Sequence, residues 1–165
     1  MERTNRKGFP TRKGFTLIEI LIVVIILGIL AAIVIPQFTN ASKEAKQSSL
    51  VTQVQSLRSQ IALFKLQHND YLPGCNPVTN TTFAEATFWD QMTLFSDLDG
   101  ATVAAKDATH VYGPYMQSIP VNPLNNSSTV AAAAAVGVGF VYDYNAGAGS
   151  GKIWGVDSTG ALINQ

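Results

Sequence analysis

The sequence predicts an α+β chain: one long N-terminal α-helix, membrane-spanning in its first half and amphipathic in its second, packed on a small head with an antiparallel β-sheet. Three observations carry this. From Phe15 to Ile35 the only polar side chains are Thr16 and Glu19. From Gln37 to about His68 there is no Gly or Pro, and apolar residues recur at helical spacing. Near the C-terminus, aromatic and β-branched residues alternate with small or polar ones between glycine-rich turns. The resulting divisions are a leader at 1–14, a span at 15–35, an amphipathic continuation at 36–68, and a head at 69–165 with a short helix and a C-terminal sheet.

The first element is basic. Formal net charge over the 165 residues is zero, yet Arg3, Arg6, Lys7, Arg12 and Lys13 all precede the span, and the remainder after Gly14 is net acidic. A basic flank stays cytoplasmic under the positive-inside rule, which sends the C-terminal portion across the membrane. The head keeps no basic patch that would suggest nucleic acid.

The span follows. A helix over Phe15 to Ile35 is roughly 30 Å long, enough to cross a hydrocarbon core. Glu19 inside it costs about 2.5–3.5 kcal/mol on insertion scales, so it needs a partner. Cleavage between Gly14 and Phe15 would create one: an α-amino group four residues before Glu19, able to neutralise the carboxylate between neighbouring copies. A secretory signal would have a shorter apolar core and a small-residue site after it. The alternative cut near Ala31-Ala32 falls inside the run and is followed by Ile33-Val34-Ile35. An uncleaved single-pass anchor gives Glu19 no purpose.

Pro36 removes one backbone hydrogen bond and crowds the preceding turn, which predicts a kink there. Leu50, Val54, Leu57, Ile61 and Phe64 then form one stripe, with Gln53, Gln55, Arg58, Ser59 and Lys65 off it. A rod from Phe15 to His68 would be roughly 80 Å long at helical rise. Asn69 to Phe83 reads as a loop from Asp-Tyr-Leu-Pro-Gly and Asn-Pro. Thr82-Phe83-Ala84-Glu85 reads as a capping box opening a helix that ends near Asp97, with Phe88, Trp89, Met92 and Phe95 on one side. Tyr115 to Ile119 reads as a short extended piece beneath the loops. Val136, Val138, Phe140, Tyr142 and Tyr144 alternate as a strand, Asn145 to Gly151 turns, Lys152 to Val156 returns, Asp157 to Gly160 turns again, and Ala161 to Ile163 pairs third.

Gly14-Phe15-Thr16-Leu17-Ile18-Glu19 followed by an apolar span resembles the prepilin leader of type IV pilins and type II secretion pseudopilins. The resemblance implies a pilin-like fold, with a membrane-embedded peptidase cutting after Gly14, N-methylation of Phe15, Glu19 as the assembly carboxylate and Pro36 as the kinking proline. Tyr112-Gly113-Pro114-Tyr115 through Pro120-Val121-Asn122-Pro123 is similar to a stretch of major pseudopilins. Cys75, the only cysteine, cannot close the C-terminal disulfide of many pilins. Together these imply a major pseudopilin: a homopolymer in a periplasmic filament, drawn from a single-pass inner-membrane form with a periplasmic head, with prepilin peptidase, an inner-membrane secretion platform and minor pseudopilins as partners. The alternative is a type IV pilin for adhesion, motility or DNA uptake.

Nothing in the head supports a third class, a membrane-anchored enzyme or binding protein. Cys75, His68 and His110 do not form a catalytic or metal-ligand spacing. Asp97-Leu98-Asp99-Gly100 lacks the third acidic position and distant glutamate of an EF-hand and reads as a turn. Major pseudopilins commonly bind calcium in an acidic C-terminal loop; here Asp143 and Asp157 are the carboxylates on offer, and the sequence assigns no cofactor and no metal ligands. Asn40, Asn80 and Asn126 begin sequons of the kind short polar loops produce by chance, and the five-alanine run from Ala131 has no diagnosed role.

Overall fold

A computed structural model describes residues 14–75, 83–144 and 150–163. The chain divides into two compact units, Met1–Ser42 and Lys43–Gln165. Helix α1, Leu17–Gln67, runs through the boundary.

In the first unit α1 is apolar on every side. Its large residues from Leu17 to Ile35 are all exposed, and none of the apolar stretch is buried within the chain. Length and composition suffice to cross a membrane. Pro36 lies inside α1 and offers no N–H to the Ala32 carbonyl. Four residues on from Ile35, the Thr39 hydroxyl donates to the Ile35 carbonyl at 3.1 Å.

In the second unit the predicted stripe is the spine of the core. Leu50, Val54, Leu57, Ile61 and Phe64 are each at most 5% exposed, each worth about 1.5–3 kcal/mol of burial. The off-stripe residues are not uniformly wet. Gln55 and Ser59 are exposed, but Gln53, Arg58 and Lys65 are half-buried, and Arg58 Nε donates to the Ile153 carbonyl at 3.0 Å. A long stem lets the charged head reach over an apolar surface, which a pattern of residue types does not reveal.

Helix α2, Glu85–Thr93, lays Phe88, Trp89 and Met92 on this core. It differs from expectation at both ends. The N-cap is Ala84, with no side-chain cap, and the Glu85 carboxylate instead accepts the Val130 N–H at 3.0 Å. Thr82, the other half of the predicted capping box, lies outside the described residues, as does the Asn80 sequon. At the far end Phe95 is not helical. It begins β1, Phe95–Ser96, which pairs antiparallel with β2, Thr102–Val103. Asp97 Oδ1 accepts the Asp99 and Ala101 N–H groups at 3.1 and 2.8 Å, which closes a hairpin where a helix end was expected.

The main sheet has the order β3-β4-β5-β6: Val130–Ala131, Phe140–Tyr142, Ile153–Val156 and Leu162–Ile163. β4, β5 and β6 pair antiparallel as expected, but β3 joins β4 in parallel, so the sheet is mixed. The predicted first strand is also shorter. Val136 is exposed in a turn closed by Val138 N–H to the Ala135 carbonyl at 3.2 Å, and pairing starts only at Phe140. Tyr115 to Ile119 is not a strand: Tyr115 and Met116 pack on the core and donate their N–H groups to the Met92 carbonyl, and Ile119 is exposed. The turn at 145–149 lies outside the described residues.

Two buried amides fasten the loops. Gln91 Oε1 accepts the Gly74 N–H and its Nε2 donates to the Gly100 carbonyl, both at 2.7 Å. Asn122 Nδ2 donates to the Gly139 and Val156 carbonyls at 2.7 Å, and its Oδ1 accepts the Leu124 N–H at 2.9 Å.

Candidate functional site

The residues singled out at the N-terminus fall at the mouth of α1. Gly14, Phe15 and Thr16 are not helical, Leu17 begins the helix, and Phe15 is 78% exposed. Gly14 and Phe15 are thus non-helical, exposed chain. Residues 1–13 lie outside the described residues, so the basic leader has no structural account.

Thr16 and Glu19 form a reciprocal pair. The Glu19 N–H donates to Thr16 Oγ1 at 3.3 Å, and the Thr16 N–H donates to Glu19 Oε2 at 3.4 Å. This is the geometry of a capping box, in which two of the otherwise unpartnered first-turn N–H groups are satisfied by side chains. The Thr-x-x-Glu signal is present in the sequence, where Glu19 reads as a carboxylate in need of a partner and Thr16 only as a polar residue in an apolar run. Two effects favour a carboxylate at this place: the partial positive charge of the helix N-terminus and the capping bonds themselves, worth about 0.5–2 kcal/mol. The carboxylate therefore folds back toward Phe15, whose nitrogen becomes the α-amine if the chain is cut after Gly14.

No other acidic or basic side chain lies in α1 before Lys43. Around Glu19, Leu17, Ile18, Ile20, Leu21 and Ile22 are all at least half exposed, a surface that requires either lipid or another apolar surface. Pro36 lies 17 residues on from Glu19.

The other polar candidates have local roles. His68 is fully buried, with Nδ1 2.8 Å from the Phe64 carbonyl, Nε2 3.0 Å from Ser96 Oγ, and its ring stacked on Phe64 at 3.8 Å. Burial lowers its pKa, against opposing contributions from the Phe64 and Asp97 backbone and the Asp97 charge. Burial pushes the Cys75 thiol up to about 11, which leaves little of the nucleophilic thiolate. His110 is elsewhere, in a loop with Nδ1 2.9 Å from Asp107. That carboxylate is held low by the His110 and Thr109 N–H and side-chain hydrogen bonds. His68 and Cys75 line one small cavity, and His110 is not among its lining residues.

Asp143 and Asp157 close separate turns. Asp143 Oδ2 accepts the Ser150 N–H and hydroxyl, at 3.1 and 2.7 Å. Asp157 Oδ1 accepts the Thr159 hydroxyl and N–H and the Ala161 N–H between 2.7 and 2.9 Å, which lowers its pKa. Among the described residues no three His, Cys, Asp or Glu side chains converge as a metal site.

Comparison with known proteins agrees with the geometry at the N-terminus. The family described as the prokaryotic N-terminal methylation motif matches residues 10–35. Type II secretion system core protein G of Aeromonas hydrophila is 28% identical over 115 residues, 70% of this chain and 69% of that protein. The core protein G of Pectobacterium carotovorum is 38% identical over 60 residues, which is 36% of this chain and 38% of that protein. The type IV major pilin protein PilA of Myxococcus xanthus is 41% identical over 69 residues, 42% of this chain and 31% of that one. No solved structure matches. The methylation motif frames the Thr16–Glu19 pair, and similarity to type II secretion system core protein G reaches far past it into the head.

Proposed function

We propose that this chain is the major pseudopilin of a type II secretion system, a structural subunit with no catalytic residues of its own. Prepilin peptidase removes residues 1–14 and methylates the Phe15 amine, and the apolar half of α1 becomes the core of a periplasmic filament built from copies of this chain. Minor pseudopilins and an inner-membrane platform complete the machine, and calcium bound in the head stays outside the assignment. The observation that carries the reading is the reciprocal Thr16–Glu19 pair at the exposed mouth of an unburied apolar helix, within a chain that resembles core protein G over 115 residues.

The chemistry is exchange of hydrogen-bond partners. In the membrane form the Glu19 carboxylate is satisfied only by its own first turn, an arrangement that leaves a full charge among lipids. Hydrolysis of the Gly14–Phe15 amide leaves an amine that is cationic and, once methylated, still keeps its charge and two of its three N–H donors. Moved beside Glu19 of a neighbouring copy, that amine forms a charge-assisted hydrogen bond in a dry environment, stronger than the neutral donors it supplements. The rest of the span exchanges lipid for like helices, so the charged pair sets register while the apolar faces supply area. Pro36, with its missing donor, is where α1 bends or loosens to let copies pack.

Mass spectrometry of the mature protein tests the processing: an N-terminal methyl-Phe15 is expected, and an intact Met1 chain in cells with an active peptidase overturns it. Deletion separates the two filament types. Loss of protein secretion supports the pseudopilin. Long surface filaments with secretion intact support the second reading, a type IV pilin, for which the 41% identity to a major pilin over 69 residues speaks.

A further inference from the structure

Among the described residues of the unit Lys43–Gln165, the two most exposed large apolar side chains, Leu66 and Val136, lie at opposite ends. The crossing of β5 over α1 gives the direction. Gly151 lies against Ile61, the Ile153 carbonyl meets Arg58, and Gly155 lies against Leu50. β5 thus runs from the Gln67 end of α1 toward the Lys43 end. The turn that follows it stays at that end, and there Gly160 backs onto the main chain of Ala135 and Val136. The loop carrying them, Ala132 to Gly137, is exposed throughout, and Val136 is 75% exposed. At the Gln67 end, α1 turns Leu63 and Leu66 outward on one face, with Leu66 80% exposed.

Exposed charge is placed to match. Lys43 and Lys46 stand three residues apart at one end of the helical segment, with exposed Glu44 off their shared face, and Asp70 is exposed just beyond the other end, with half-buried Lys65 off the Leu63–Leu66 face. Among the described residues the one ion pair is His110–Asp107, so Lys43, Lys46 and Asp70 have no ionic partner among them. Stacking a second copy end to end would bring lysines to Asp70 at the same time as the alanine loop meets the leucines. The offset needed is the helix length from Lys46 to Leu66, roughly 30 Å.

We propose that the Ala132–Val136 loop of one copy docks on the Leu63–Leu66 face of a second copy, with Lys43 and Lys46 of the first against Asp70 of the second. Different patches meet in this contact, so it is heterologous, and such contacts propagate into open helical assemblies unless their rotation closes a ring. The patch is too small to hold two free heads together. It acts where α1 already keeps copies at high effective concentration, and there it fixes the stagger of the heads. The inference rests on the polymerisation proposed above.

The test uses full-length processed filaments carrying Leu66→Cys and Val136→Cys, treated with a short bismaleimide. Buried Cys75 stays in place and is controlled by the single variants. The expected result is a ladder of dimers, trimers and higher species from the double variant, with each single variant remaining monomeric. Filaments that form without a ladder overturn the docking and leave polymerisation standing. Cross-linking by either single variant means like meets like, and it also overturns the docking. A wild-type chain that makes no filaments overturns polymerisation, and the docking with it. Charge reversal gives a second measurement independent of the cysteines: Asp70→Lys lowers filament yield about two- to five-fold, and adding Lys46→Asp restores it. A double reversal no better than the single one overturns the contact.

Discussion

Gly155 meets Leu50 where β5 crosses α1, so closely that a β-carbon on the glycine would lie 2.5 Å from the leucine's Cδ2 and 2.7 Å from its Cγ. Helix and sheet can approach to this distance only because position 155 has no side chain. The opposite residue in the sheet, Phe140, is fully buried, so the contact cannot be relieved by tilting the strand outward without opening the core.

Gly155→Val should therefore lower the stability of the head by about 1–3 kcal/mol, through overpacking rather than loss of any bond. Urea unfolding of the detergent-solubilised chain, followed by Trp89 and Trp154 fluorescence, reads this directly; an unchanged midpoint would show that Leu50 can move aside.

For Glu19→Ala, membrane insertion and processing should stay normal while filament yield collapses, since the proposed intersubunit charge pair is lost. Thr16→Ala should act in the same direction but more weakly, because it removes the hydroxyl that caps Glu19 N–H and leaves the carboxylate in place. Filament yield by shearing and immunoblot ranks the two, and a Glu19→Ala chain assembling at wild-type level would remove the carboxylate from the mechanism.

His68 gives the head a pH dependence whose sign is fixed by burial. Its folded pKa lies below the ordinary 6.5, so the unfolded chain binds more protons between the two values. The contribution of neutral His68 is complete above pH 6.5 and is lost as pH falls from there toward the folded pKa. Melting temperatures should fall across that window and flatten in His68→Gln, while the low pKa values of Asp107 and Asp157 confine their effects to more acidic solution. An identical slope in the variant would exclude His68 as its source.

Asn122→Ala should cost about 1–3 kcal/mol, because it leaves the Gly139 carbonyl without its side-chain donor at a buried site. Both carbonyls keep a second donor, the Val156 N–H for Gly139 and Asn125 Nδ2 for Val156, each at 3.2 Å, while the Leu124 N–H loses its Asn122 acceptor. Thermal unfolding should show the loss without change in helix content.

The elements written into the sequence as period were the ones legible there. Leu50 to Phe64 repeat at helical steps because one face of α1 meets the sheet, and Ile153 to Val156 stand out because turns bracket them. What escaped was decided by single side chains choosing among backbone partners. Glu85 took the Val130 N–H rather than a capping role, Asp97 closed a hairpin where helix was expected, and the two-residue β3 is too short to leave a pattern. At the N-terminus the signal was visible but read for one purpose only: Thr16-x-x-Glu19 marks a helix start as well as a charge in need of company.

The unburied half of α1 also determines where this protein can be stored. A subunit with that surface has no dissolved resting form, since water is as poor a medium for it before assembly as after. In the assembly proposed above, the bilayer that holds it is its supply, and growth and shrinkage of a filament are an exchange between two oily phases, one flat and one cylindrical.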